Sequence, residues 1–147
     1  MSQQSSEGHR FLEHTSDALI EAWGPNLERA FVQAAEAFYE TMINRRSVNP
    51  RMEELVQAEG HDEKELLYDW LEVLLLKFDI EGMVYSEFSL RPITSEDHRI
   101  RVQAKVRGEK YDRIKHGSKV EIKGVTYHLM EIKKDPGKVA VQFLLDL

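Results

Sequence analysis

Phe11-Leu12-Glu13-His14-Thr15-Ser16-Asp17-Ala18-Leu19-Ile20-Glu21-Ala22-Trp23-Gly24 is the stretch on which the reading of this chain turns. Apolar and aromatic residues stand at strand density over residues 10–13 and 18–23, and the small polar run from His14 to Asp17 interrupts them. Thr, Ser and Asp side chains hydrogen-bond to nearby backbone groups and favour turns, so the stretch predicts a tight hairpin or kink. On that reading alone, Asp17 closes the turn. At the far end Lys138-Val139-Ala140-Val141-Gln142-Phe143-Leu144-Leu145 alternates with period two. Val139, Val141, Phe143 and Leu145 fall on one face, and Asp146 falls on the other with Ala140, Gln142 and Leu144. If this last strand lies beside the first hairpin, Asp17 and Asp146 converge.

Between these ends the periodicity changes. Gly24-Pro25-Asn26 breaks the strand pattern, and Asn26 is placed to cap a helix whose first turn carries Glu28. Leu27, Phe31, Ala34, Phe38 and Met42 then recur at three- and four-residue steps, one apolar stripe of an amphipathic helix. Asn44 to Ser47 end it, Asn49-Pro50 prevents a restart, and residues 54–59 read as a short strand. Asp62 with Glu65 three residues on is an Asp version of the reciprocal capping pattern. It precedes Leu66, Leu67, Trp70, Leu71, Leu74, Leu75 and Phe78, the most hydrophobic helix of the chain. Glu63, Glu65, Asp69 and Glu72 make its solvated face.

After Gly82 the pattern is strand-rich, with strands expected over residues 83–93, 99–107 and 119–132. Apolar positions are even at Val120 and Ile122 and odd at Val125, Tyr127 and Leu129, so a bulge or bend is expected at Lys123-Gly124. Lys134-Asp135-Pro136-Gly137 predicts the turn of a closing hairpin. The sum is an α+β fold, a mixed sheet with two main helices on one face. Residues 1–8 are polar and small and are expected to be a frayed, dispensable leader to a single domain over residues 9–147.

Composition narrows the chemistry. A net charge of -6 with 31% charged residues suits a soluble cytoplasmic protein and argues against broad binding to a phosphate backbone. Without cysteine there is no disulfide, thiolate zinc site or cysteine nucleophile. No apolar run approaches the ~18 residues of a membrane span.

His14-Thr15-Ser16-Asp17, together with a chain reading Leu145-Asp146-Leu147 at its end, resembles the archease family, accessory proteins of RtcB-type RNA ligases. Leu27-Glu28-Arg29-Ala30-Phe31, Gly60-His61-Asp62 followed by Leu66-Leu67-Tyr68-Asp69-Trp70-Leu71, and Ile122-Lys123-Gly124-Val125-Thr126-Tyr127-His128 continue the likeness in the family's order. Ser16 stands where Ala is commoner, Gly124 replaces a usual Ala, and Leu147 replaces a usual Ile or Val.

The resemblance implies a non-catalytic activator in tRNA splicing and RNA repair that promotes ligase guanylylation and multiple turnover, with RNA held only through the ligase. It also implies a calcium-type site at Asp17, Asp146 and the backbone or terminal oxygens of Leu147, in keeping with the oxygen ligands that hard cations take. His14, Lys123 and His128, with Thr126, become partner-facing candidates through the same resemblance. Their ordinary roles are a structural imidazole or a surface residue.

A rival reading belongs to another class. His14-Thr15-Ser16 and His116-Gly117-Ser118 both read His-x-Ser, the kind of pair that serves two-histidine phosphoesterases acting on RNA ends. A calcium-stabilised domain with no ligase role is the third.

Overall fold

The computed structural model describes residues 5–14 and 16–147, with the main chain alone for Glu13 and His14. Eight strands and three helices alternate as β1 (Gly8–His14), β2 (Asp17–Gly24), α1 (Leu27–Met42), β3 (Met52–Gly60), α2 (Glu63–Glu81), β4 (Met83–Leu90), β5 (Thr94–Glu96), β6 (Arg99–Lys110), α3 (Arg113–His116), β7 (Gly124–Asp135) and β8 (Lys138–Asp146). The class is α+β, as the patterning predicts. The strands expected in one mixed sheet are instead divided between two antiparallel ones, ordered β1-β2-β8-β7 and β3-β6-β4, with β5 also paired to β6.

Both long helices start as their caps dictate. The Asn26 side chain accepts the Arg29 N–H at 2.9 Å and the Asp62 side chain accepts the Glu65 N–H at 2.8 Å, each satisfying a donor the helix leaves bare. The reciprocal half of the second cap is not made, because the Glu65 carboxylate turns to His61 Nδ1 at 3.1 Å. Helix α2 stops at Gly82, whose φ of 65° suits a residue without Cβ.

The stripe Leu27, Phe31, Ala34, Phe38 and Met42 is buried, as are Leu66, Leu67, Trp70, Leu71, Leu74 and Leu75. Burying such side chains stabilises by roughly 1.5–3 kcal/mol each for the larger ones. Trp70 joins the helices: its ring stacks on Phe31 at 6.3 Å and its Nε1–H donates to the Phe31 carbonyl at 3.0 Å.

Three elements depart from the sequence expectation. Residues 83–93 are not one strand: β4 ends at Leu90, and β5 folds back on β6 through Asp97 and His98, both at positive φ. The strand expected from residue 119 begins only at Gly124, because the Lys119 N–H is taken by the Met42 carbonyl at the end of α1. The change of face follows Thr126 rather than preceding Gly124. Thr126 pairs with Leu144 and Glu131 with Gln142, so a wide bulge that includes Leu129 at φ 60° opposes one residue of β8.

In the expected leader, residues 1–4 lie outside the described residues, whereas Ser5 to Gly8 are tied to the body. The Trp23 Nε1–H donates to the Ser5 carbonyl at 2.8 Å, Glu7 takes two hydrogen bonds of 2.6 Å from Arg29, and Gly8 pairs in β1 with Trp23.

Candidate functional site at the end of the first sheet

Strand β2 begins where β8 ends, and β7 begins beside them. The register sets Asp17 directly opposite Asp146, and Asp146 opposite Gly124, one row across three strands. Main-chain bonds close the row: the Lys123 N–H donates to the Asp146 carbonyl at 2.7 Å, and the Leu147 N–H donates to the Ser16 carbonyl at 3.3 Å.

The neighbouring row is Ala18, Leu145 and Val125, all buried, so by strand alternation Asp17 and Asp146 point away from the core. Directly opposed residues of an antiparallel pair bring their Cβ atoms within about 4.5–5.5 Å, and like charges there repel. Among the described residues neither carboxylate has an ion-pair or hydrogen-bond partner. Two carboxylates stand side by side, and no described group neutralises them.

That donor set fits a hard divalent cation, which takes carboxylate, carbonyl and water oxygens. Two side chains are all that converge: among the described residues no group of three or more His, Asp or Glu is placed to hold a metal. Further ligands would come from the backbone oxygens of Leu147 and from water. The Leu147 side chain packs against the core, which holds the chain there in place. Gly124 leaves room in the row, since a Cβ built on it meets nothing within 4 Å.

The partner-facing candidates separate. Lys123 is exposed beside the carboxylates, and its N–H is part of the row. His128 is exposed on the bulge of β7, where its N–H donates to Thr126 Oγ1 at 3.1 Å and the neighbouring Tyr127 ring stacks on Tyr68 of α2 at 4.4 Å. The side chain of His14 lies outside the described residues; its main chain pairs with Ala18.

His116 does not lie in an open loop. It closes the single turn of α3 and is fully buried: its Nδ1 accepts the Asp112 N–H at 2.9 Å, and its Nε2 lies 2.8 Å from Glu109 Oε2. With both ring nitrogens engaged and no exposed surface, it has no lone pair or proton to offer an RNA end. The two-histidine phosphoesterase therefore loses one of its two imidazoles.

Sequence reading missed Glu109. Its residue is 7% exposed, and it takes the Asn49 N–H at 2.9 Å, Lys115 Nζ at 2.7 Å and the His116 ring, with Arg51 at 3.5 Å. The Asn49 N–H first, and then Lys115, lower its pKa to about 2 against the desolvation that would raise it. Its neighbours Gly108 and Lys110 give no sign of this burial in the sequence, and all three residues lie at the end of β6, beyond the strand expected over residues 99–107.

Comparison with known proteins agrees with the earlier likeness. The model of the Archease protein family matches residues 9–147. The protein archease of Methanopyrus kandleri is 35% identical over 136 residues, 92% of this chain and 96% of the relative. The solution structure of protein 1598 of Methanobacterium thermoautotrophicum superposes with a TM-score of 0.83 at 34% identity, covering 95% of this chain and 99% of that one. The crystal structure of an archease of Thermotoga maritima, described as a "possible chaperone", shares the fold, with a TM-score of 0.57 at 18% identity over 94% of this chain and 96% of that one.

Proposed function

The chain belongs to the archease family, and from that premise we propose that it is a non-catalytic activator of an RtcB-type RNA ligase. It acts in the cytoplasm, in tRNA splicing and RNA repair, and it promotes guanylylation of the ligase and its multiple turnover. The observation that carries this reading is the pair of uncompensated carboxylates, Asp17 and Asp146, set opposite one another at an exposed strand end. Direct cross-strand repulsion opposes folding, and a cation held between the two carboxylates would relieve it.

Asp17, Asp146 and the backbone oxygen of Leu147 would hold a hard divalent cation of the calcium type. When bound, the cation supplies positive charge between β2 and β8, the two adjacent central strands of the sheet. The residues do the rest: the Lys123 and Leu147 N–H groups fix the main chain around the carboxylates, and the packed side chains of Ala18, Val125 and Leu145 keep the three strand ends together. Lys123, His128 and His14 flank this end as the partner-facing candidates. RNA and nucleotide belong to the ligase, in keeping with a net charge of -6. None of the helices among the described residues is long and apolar enough to cross a membrane.

The test is a multiple-turnover ligation assay with the ligase of the same organism, with and without this protein, alongside calcium titration calorimetry. The wild type is expected to raise turnover. Asp17→Asn and Asp146→Asn should keep a native-like circular dichroism spectrum while calcium affinity falls roughly tenfold or more, because a hard-cation site loses a charged oxygen ligand. Stimulation should fall with it. Variants that stimulate as well as wild type at limiting calcium would detach the carboxylate pair from the ligase.

A further inference from the structure

The most exposed large apolar side chain among those described is Ile114, 98% accessible, in the middle of the four-residue turn α3. A single exposed aliphatic residue is ordinary on a protein surface, and what sets this one apart is how firmly its turn is held. Asp112 Oδ1 accepts the N–H groups of Ile114 at 2.9 Å and Lys115 at 3.4 Å, the His116 N–H donates to the Asp112 carbonyl at 2.7 Å, and the Tyr111 hydroxyl donates to the Gly117 carbonyl at 2.6 Å. From below, the Asn44 N–H at the end of α1 donates to the His116 carbonyl at 2.8 Å, and the His116 ring is locked to Glu109.

Burying an imidazole and a carboxylate together costs desolvation that their attraction only partly returns, so such a pair is weak evidence of a gain in stability. Here it holds a turn whose exposed residues are Asp112, Arg113, Ile114 and Lys115, with Asp112 bonded back into the turn and Lys115 tied to Glu109. Rigidity before contact lowers the entropic cost of association, and a hot spot is a side chain buried at the centre of an interface within a rim that excludes water.

The turn sits at the carboxylate end of the molecule. Strand β2 leaves from Asp17 and α1 returns along it, so the end of α1 lies near that start. The Met42 carbonyl at that helix end accepts the Lys119 N–H, and four residues later Lys123 bonds to Asp146. Seven residues separate His116 from Lys123, a reach of no more than roughly 25 Å even fully extended. One partner of ordinary interface size spans both.

We propose that the Arg113-Ile114-Lys115 turn is a second docking point for the ligase, with Ile114 seated in an apolar pocket of the partner rimmed by carboxylates. Arg113 has no ion-pair partner among the described residues, and it borders a groove lined also by Arg51, Lys110 and Lys115 and by the acids Glu109 and Asp112, with Arg51 and Lys115 already paired to Glu109, so Arg113 is the cation left for a partner's carboxylate. The chemistry favours a protein over single-stranded RNA. The nearby Tyr111 ring is stacked on His116 and meets Phe78 edge to face, so it is already engaged within the protein and is a poor platform for a base.

The inference rests on the ligase reading above, and one titration separates their failures. Binding of the full chain to its ligase is measured by calorimetry for wild type, Ile114→Asp, Arg113→Glu and, as a control of similar exposure on the outer face of the second sheet, Leu55→Asp, with the melting temperature and calcium affinity of each. Ile114→Asp is expected to bind roughly tenfold or more weakly, as a hot-spot loss does. Its melting temperature and calcium affinity should not move. Arg113→Glu should weaken binding less, and Leu55→Asp not at all. Wild-type affinity for Ile114→Asp, or an equal loss in Leu55→Asp, overturns the docking point and leaves the activator reading standing. Loss of binding to a single-stranded oligonucleotide with ligase binding intact overturns it in favour of RNA. A wild-type protein that neither binds nor stimulates the ligase ends both readings.

Discussion

Two sets of carboxylates at one end of this molecule are treated in opposite ways. Glu109 is buried and fully subscribed, with a backbone N–H, an ammonium, an imidazole and a guanidinium around it. Asp17 and Asp146 face outward as direct cross-strand neighbours, and among the described residues nothing pairs with them. Some exposed acids are neutralised as well. On the outer face of the second sheet Glu59 meets Arg99 and Arg101, and Arg107 stands between Glu53 and Glu87. The contrast teaches that carboxylates are neutralised where they are buried or stand on the outer face of the second sheet, whereas this row, like several other surface acids, is left bare, and it alone among the described residues sets two of them directly opposite one another.

The largest effect expected from breaking this contrast is at Glu109. Glu109→Ala strips the buried imidazole and the Asn49 N–H of their partner, and removal of one member of a buried pair costs about 3 kcal/mol or more. Urea unfolding at pH 7 measures it; a loss below about 1 kcal/mol would mean that water replaces the carboxylate and that the turn of α3 is held by other bonds.

A pH series sharpens the same point. The pKa of Glu109 in the folded protein is depressed from an ordinary 4.5 to about 2. Its contribution is therefore fully present above the unfolded value and is lost as pH falls through the window from about 4.5 to about 2. Wild type should lose stability across that window more steeply than Glu109→Gln, and parallel acid limbs would remove Glu109 from the account.

The smallest effect carries the opposite sign. In chelator, Asp146→Asn should stabilise the protein by about 0.2–1 kcal/mol by ending a cross-strand repulsion. Glu59→Gln should destabilise it by about 0–1 kcal/mol, the worth of an exposed ion pair. Destabilisation of both variants in chelator would show that Asp146 has a partner in solution after all.

Local chemistry made much of the fold legible. The strand-to-helix connections are the clearest case, for Gly24 and Gly60 each stand two residues before a cap, Asn26 and Asp62. In both, a Cβ would come within 3 Å of backbone atoms in the first turn of the helix that follows. The turn and cap residues announce these corners, and no repeat in the sequence shows that the two are alike. The closing hairpin at Pro136-Gly137 was legible for the same reason, with Gly137 at φ 76°. The bulge of β7 was legible only as a change of parity, and its place was not. Where the strand starts depends on the Met42 carbonyl taking the Lys119 N–H, a bond between residues far apart in the chain.

Of the candidate site, the sequence by itself determined the donor types and the faces. Period-two alternation puts Asp146 opposite the buried Val139, Val141, Phe143 and Leu145, and the turn residues before Asp17 end a strand there. Only the tertiary structure decided that Asp17 and Asp146 are register partners, that β7 brings Gly124 to the same row with Lys123 just before it, and that His116 is buried against Glu109. The physical reason is range. Turns, caps and alternation are settled by residues within a few positions of one another, whereas register and burial are settled by which distant strands meet. That choice belongs to the packing of two sheets around Phe31, Trp70 and Phe143, and no short window of the chain contains it.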